Sequence, residues 1–147
     1  DPFASTDDDR VAGPLRHAQT VRFDEGIALE RGGTLPSVTC AFEAKPHHCN
    51  GGGFLHGGML MTFADYSLFA IGSDVLNGPS VTVSFSAEFT SAVGSGSFVE
   101  ARGEVVQNTG SMVFLRGQVF TGKGENEKIL LNYSGIVKRL KKRPLDK

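Results

Sequence analysis

The spacing of apolar residues changes once along this chain, and the change separates a helix from a run of strands. From Met59 to Ile71 the sequence is apolar except at Thr62, Asp65, Tyr66 and Ser67. Helix formers such as Met, Leu and Ala dominate it, and apolar residues point in nearly every direction at helical spacing, which predicts a helix buried on all sides. Gly72 is its natural stop. From Ser80 to Phe89 the spacing becomes two, with Val81, Val83, Phe85 and Ala87 set against Thr82, Ser84, Ser86 and Glu88. Such alternation predicts a strand with one buried face. Phe98–Gln107, Met112–Phe120 and Ile129–Val137 are three further strand-like runs, divided by the turn sequences Asn108-Thr109-Gly110 and Gly122-Lys123-Gly124-Glu125-Asn126. Upstream, Val21–Leu29 and Pro36–Ala44 predict two more strands around the turn Arg31-Gly32-Gly33. Residues 45–54, with Pro46, Asn50 and Gly51 to Gly53, form a loop. The expected layout is α+β: two strands, one buried helix, then four strands in a meander. A curved antiparallel sheet wrapped around the helix would bury it best.

The chain has 147 residues, of which 39% are hydrophobic, enough for one domain with a substantial core. We expect an N-terminal arm over residues 1–16, a domain over 17–140 and a basic tail over 141–147. The first residues, DPFASTDDDR, have neither the basic start nor the apolar centre of a signal peptide. No apolar run approaches the roughly 18 residues that span a bilayer. Fifteen basic residues balance 16 acidic ones, for a formal net charge of -1. That argues against nucleic acid as a partner. The exception is KRLKKRPLDK, Lys138 to Lys147, expected to be a solvated end that could also bind phosphate. Cys40 and Cys49 make no CxxC pair and predict a reducing, cytoplasmic setting.

The candidate chemistry centres on Asp65, an acid inside the apolar helix. Desolvating a carboxylate costs several kcal/mol unless it is paired, hydrogen-bonded or protonated. Asp65 could lie on an exposed stripe with Tyr66 and Ser67, or cap a neighbouring loop. Against both stands the preceding segment, Asn50-Gly51-Gly52-Gly53-Phe54-Leu55-His56-Gly57-Gly58. Asn50 and His56 supply polar groups, and the glycines let backbone approach a ligand. Gly57 and Gly58 would open the helix, where free N–H groups and the positive dipole end suit an oxyanion. A carboxylate base and an oxyanion hole are the minimum for acyl transfer to water.

Gly57 and Asp65 are eight residues apart, or about 12 Å along a helix. The backward lean of an Asp side chain recovers only about 2 to 3 Å. Base and oxyanion donor must each lie within roughly 3 to 3.5 Å of the reacting group or its water. Two helices antiparallel across a twofold axis satisfy this where one cannot, which predicts a homodimer with two equivalent sites.

Asn50-x-x-Gly53-x-x-His56-Gly57-Gly58 with Asp65 in the following helix resembles the hotdog-fold acyl-CoA thioesterases of the phenylacetate-degradation, or PaaI-like, type. The resemblance covers about residues 35–140. It implies a hotdog fold, hydrolysis of an acyl- or aryl-CoA and a homotetramer made of two dimers. No cofactor is implied, since coenzyme A is part of the substrate. In that family the position of Asp65 is nucleophile or general base, Gly57 gives the oxyanion N–H, and Asn50 and His56 orient the carbonyl. These last three would face Asp65 of the partner chain. A hydroxyl on the next strand holds the water, with Thr82 the first match and Ser84 the second. Gly58 and Phe54 are expected to line the substrate site, and Asn108, Thr109, Gly110, Ser111 and Met112 the CoA groove. The chain departs from the family at Thr90, Ser91 and Ala92, where a basic residue and Pro commonly follow the strand. It departs again at Ser111 and Met112, where a basic residue often follows the turn glycine. Both departures concern the nucleotide end.

His47, His48, Cys49 and His56 lack standard metal-ligand spacing, so no metal site is expected. Gly51 to Gly53 lack the Lys and Ser/Thr of a phosphate loop. Cys49 as a nucleophile is set aside. Phe54 and Phe63 are candidates for an acyl or aryl pocket, while Phe69 is expected in the core. Two rival readings remain: a hotdog dehydratase or hydratase, and a non-catalytic acyl-CoA binder.

Overall fold

In the computed structural model the described residues are 19–22, 28–32 and 37–141, with side chains described from Cys40 to Lys141. The strands are β1 (Gln19–Arg22), β2 (Ala28–Gly32), β3 (Ser37–Glu43), β4 (Ser80–Phe89), β5 (Phe98–Asn108), β6 (Met112–Thr121) and β7 (Lys128–Arg139). The helices are α1 (Gly57–Ile71) and the single turn α2 (Ser73–Leu76). One antiparallel sheet runs in the order β1-β2-β3-β5-β6-β7-β4. The curved sheet carrying one long helix is the hotdog fold expected from the sequence.

Several expectations need correction. The strand foreseen over Val21–Leu29 is two strands, because Val21 and Leu29 are cross-strand partners of β1 and β2. The four later strands are not one meander. β5, β6 and β7 are, but β4 pairs with β7 at the edge. Helix α1 carries the chain across the sheet, so β3 and β4 lie at opposite ends of a gap that the meander fills.

Nor is α1 buried on every side. Leu60, Phe63, Ala64, Ser67, Leu68, Ala70 and Ile71 are buried against the sheet, while Met61 remains 41% exposed and Gly57, Gly58 and Thr62 are open. A single curled sheet covers only the face it meets. On that face Phe63 packs edge-on against Phe42, with ring centroids 4.7 Å apart. The helix approaches so closely that β5 and β7 carry glycine beneath it. A methyl group at Gly103 would lie 2.8 Å from Ile71 Cδ1, and one at Gly135 would overlap the Leu68 side chain. At the C-terminal end the Gly72 N–H bonds to the Leu68 carbonyl at 2.9 Å, so Gly72 does end the helix.

Lys138 and Arg139 are the last residues of β7. Residues 142–147, like the arm at 1–16, lie outside the described residues.

Candidate active site

The residues singled out from the sequence fall into three groups within one chain. The first joins Asp65 to Thr82, whose Oγ1 donates to Asp65 Oδ1 at 2.7 Å. Strict alternation along β4 would have put Thr82 on the face opposite Val81, Val83, Phe85 and Ala87. A β-bulge between Thr82 and Ser84 inserts Val83 as an extra residue against β7. The bulge reverses the phase, so Thr82 shares the inward side with Phe85 and Ala87, while Val81 and Val83 are 41% and 49% exposed. Ser84 turns the other way. It borders a cleft of about 300 Å³ on the outer face with Val106, Phe114 and Ile136.

The second group is the glycine turn and the start of α1. Asn50 Oδ1 accepts the N–H groups of Gly52 at 2.9 Å and Phe54 at 3.2 Å. Gly53 closes the turn with φ +83, a conformation that suits glycine. Two backbone donors fix which Asn50 atom is oxygen, so its NH2 group is the part left to donate to a ligand. His56 is the N-cap, and its carbonyl accepts from Met59 and Leu60 N–H. No side chain among the described residues caps α1, and Gly57 and Gly58 are exposed at its start. Phe54 is 52% exposed beside this turn. Phe63, the other candidate for pocket lining, is fully buried on Phe42 and belongs to the core. Phe69 packs partly buried against the core.

The third group is the β5–β6 turn. Thr109 N–H donates to the Met112 carbonyl at 2.8 Å, and Met112 N–H to Thr109 Oγ1 at 3.0 Å. Asn108, Val113, Val137 and Thr82 form one row across β5, β6, β7 and β4. The turn therefore lies three strand spacings, about 14 Å, from Thr82. Within one chain the fold brings Asp65 to Thr82, but it does not bring Asp65 to the glycine turn.

The loop before the turn is held by His48, which is buried and accepts the Lys45 N–H on Nδ1 at 3.0 Å. Burial, then the nearby His47 and Lys45 charges, lowers its pKa to about 4, so the ring is neutral at physiological pH. Its carbonyl accepts the His56 N–H at 2.9 Å. No group of three His, Cys, Asp or Glu among the described residues is placed to hold a metal ion.

A scan against protein-family profiles matches residues 52–128, just over half the chain, to the thioesterase superfamily. The chain belongs to the thioesterase superfamily. Among solved structures it is similar to a point mutant of the phenylacetic acid degradation protein PaaI of Thermus thermophilus, at 28% identity and TM-score 0.64, covering 78% of this chain and 93% of that one. TT0310 of the same organism is similar at 26% identity and TM-score 0.65, over 78% and 92%. The E. coli PaaI protein shares the fold at 18% identity and TM-score 0.66, over 94% and 89%. This thioesterase-superfamily chain is thus of the PaaI-like hotdog type. A 41-residue stretch is also 49% identical to part of the bifunctional methionine biosynthesis protein MetXA/MetW of Rhodopirellula baltica. That stretch is 28% of this chain and 7% of that protein, so the chain spans only a small part of that curated relative. No helix among the described residues is long and apolar enough to cross a membrane.

Three features of this superfamily member escaped the sequence reading. Phe89, at the end of β4, lays its ring against Gly57, where a methyl group would meet Phe89 Cε1 at 3.2 Å. Nothing local in the sequence couples positions 57 and 89. Tyr133 and Ser67 share a buried hydrogen bond, and Ser67 Oγ also donates to the Ala64 carbonyl at 2.7 Å. Burial pushes the Tyr133 pKa well up, so this hydroxyl serves as a neutral anchor for α1. The third is Arg139, whose side-chain contacts with α2 and the β5–β6 turn its basic neighbours in sequence did not suggest.

Proposed function

We propose that this protein hydrolyses an acyl- or aryl-CoA thioester to the free acid and CoA, at a site completed by a second copy of the chain. The observation that carries the reading is the Asp65 carboxylate, held by Thr82 yet two helical turns from its own Gly57 N–H groups. A partner helix running antiparallel would set its glycine turn opposite Asp65. β4 supports this: it is a ten-residue edge strand with Val81, Val83 and Phe89 exposed. Such an edge invites pairing with another strand. A homodimer is the minimal unit in this reading, and two dimers form the homotetramer. Cys40 and Cys49, which are not joined in a disulfide, fit a cytoplasmic setting.

In the proposed reaction Asp65 takes a proton from water, and the hydroxide adds to the thioester carbon. The Asn50 NH2 group and His56 orient the carbonyl, and the Gly57 N–H receives the negative oxygen as it forms. The C–S bond then breaks, and the thiolate takes the proton that Asp65 holds. Thr82, donating to one carboxylate oxygen, leaves the other for the water and offers that water its own lone pairs. Asp65 as direct nucleophile uses the same groups, through an anhydride that water opens.

Thiol release from a panel of short, medium, long and aromatic acyl-CoAs tests the reading. Turnover in the wild type that is lost in Asp65→Ala supports it. A protein that binds CoA esters without releasing thiol rejects it, as does an Asp65→Ala variant with full turnover.

A further inference from the structure

Phe89 ends β4 on the inward side of the sheet, in line with Thr82, Phe85 and Ala87. Its ring lies against the first residue of α1: a methyl group on Gly57 would meet Phe89 Cε1 at 3.2 Å and Cζ at 3.3 Å. In a helix the Cα–Cβ direction leans towards the N-terminus, the end to which the first N–H groups also point. The ring therefore stands beside the approach to the Gly57 N–H. A methyl group on Gly58 would meet nothing within 4 Å. The start of the helix is closed on the Phe89 side and open over Gly58.

The strand end holds the ring in this place. Phe89 pairs with Leu131 of β7. The next residue, Thr90, donates its N–H to the Leu130 carbonyl at 2.9 Å and its hydroxyl to the Ile129 carbonyl at 2.6 Å. The chain then braces the glycine turn, with the Leu55 N–H donating to the Val93 carbonyl at 2.8 Å and Phe54 bridging to Gly94. One stretch, Phe89 to Gly94, thus supports both the turn and the ring that flanks it. Phe89 is nevertheless half exposed, so its ring has surface left to meet a substrate.

We propose that Phe89 is a specificity-determining residue, which admits acyl groups unbranched at the carbon next to the carbonyl and turns away those branched there. The inference rests on the acyl-CoA reading, with the carbonyl oxygen on the Gly57 N–H, and it narrows the acyl group of that reading. A carbonyl oxygen accepting from Gly57 lies about 2.9 Å from the nitrogen. The acyl α-carbon lies roughly 2.4 Å from that oxygen, and so within reach of the ring. An unbranched chain leaves over Gly58, where there is room. A second substituent on the α-carbon points at the ring, as a methyl group on Gly57 itself would. One methyl group in an apolar site changes discrimination about 10- to 200-fold.

The test measures kcat/KM for CoA esters paired by branching: butyryl against isobutyryl, and phenylacetyl against 2-phenylpropionyl. The wild type is expected to favour the unbranched member of each pair at least tenfold. In Phe89→Ala that preference falls at least tenfold, through a gain on the branched esters. Phe89→Leu, which keeps an apolar side chain but no ring edge at Gly57, shifts the preference the same way and decides the matter if Phe89→Ala does not fold. Melting temperature and sedimentation velocity establish that each variant folds and assembles as the wild type does. An unchanged preference in a folded variant overturns the proposal. So does an equal loss on every ester, which makes the ring a packing contact within or between subunits, and so does a wild type that takes both members of each pair equally. If the wild type releases thiol from none of the esters, the catalytic reading falls, and calorimetric titration with the same uncleaved esters becomes the test. Tighter binding of the unbranched esters that is lost in Phe89→Leu supports the wall at Phe89, and equal or absent binding overturns it.

Discussion

Thr82 on β4 donates its hydroxyl proton to Asp65 on α1 at 2.7 Å, from a strand whose phase is reversed by the single extra residue Val83. Without that bulge Thr82 would face outward with Ser84, and the carboxylate would have no partner on the sheet. The bulge therefore aims the site as well as bending an edge. It also turns Val81 and Val83 outward on the edge where a second copy would pair.

Loss of the carboxylate is expected to act on turnover. Asp65→Asn should lower kcat at least about a hundredfold, as removal of a general base typically does. Thr82→Val should cost about tenfold, in line with one hydrogen bond to a charged group, and Thr82→Ser should retain most activity. Steady-state thiol release checks all three.

Asn50 separates loop support from carbonyl recognition. Asn50→Asp keeps the oxygen that accepts the Gly52 and Phe54 N–H groups but loses the donor. We expect an unchanged melting temperature and a strong loss of kcat/KM. Mixing Asn50→Asp with Asp65→Asn then tests sharing between subunits. Random exchange in a twofold dimer returns about a quarter of wild-type activity when each site draws on both chains. Recovery of none would mean that each chain works alone.

Gly103 marks how closely α1 approaches the sheet. Gly103→Ala puts a methyl group 2.8 Å from Ile71 Cδ1 and against the Arg116 carbonyl, and the backbone there cannot yield. Overpacking of this kind costs about 1–3 kcal/mol. Thermal melts should show the loss, while Gly58→Ala, where a methyl group meets nothing, should melt as the wild type does.

His48 gives the fold a dependence on pH. Its pKa falls from 6.5 when unfolded to about 4 when folded, chiefly because the ring is buried. Between those values the unfolded chain binds the extra proton, so stability rises with pH through this window and is lost on acidification. Above pH 6.5 the contribution is complete. His48→Asn, which can still accept the Lys45 N–H, should flatten the melting temperature between pH 4 and 6.5. An unaltered slope in that variant would assign the acid sensitivity to other groups.

Much of this protein is legible in its sequence because its strongest signals are local. The apolar run ending at Gly72, the alternation of β4 and the glycine-bearing turns of β5 to β7 each follow from periods and backbone preferences within a few residues. The Asn50 to Gly58 segment with Asp65 beyond it is likewise a local pattern, and the helical rise alone separates Asp65 from Gly57. What the tertiary structure decided depends on residues far apart in the chain. β4 leaves the meander because α1 carries it across the sheet, and Val21 meets Leu29 because β1 and β2 pair antiparallel. One inserted residue, judged against β7, sends Thr82 inward. Arg139 looks like part of a solvated basic end until β5, α2 and the turn before β6 set their oxygen acceptors around it. Periodicity records which way a side chain points along its own element, but its partners are set by register and packing between elements, which no local pattern encodes.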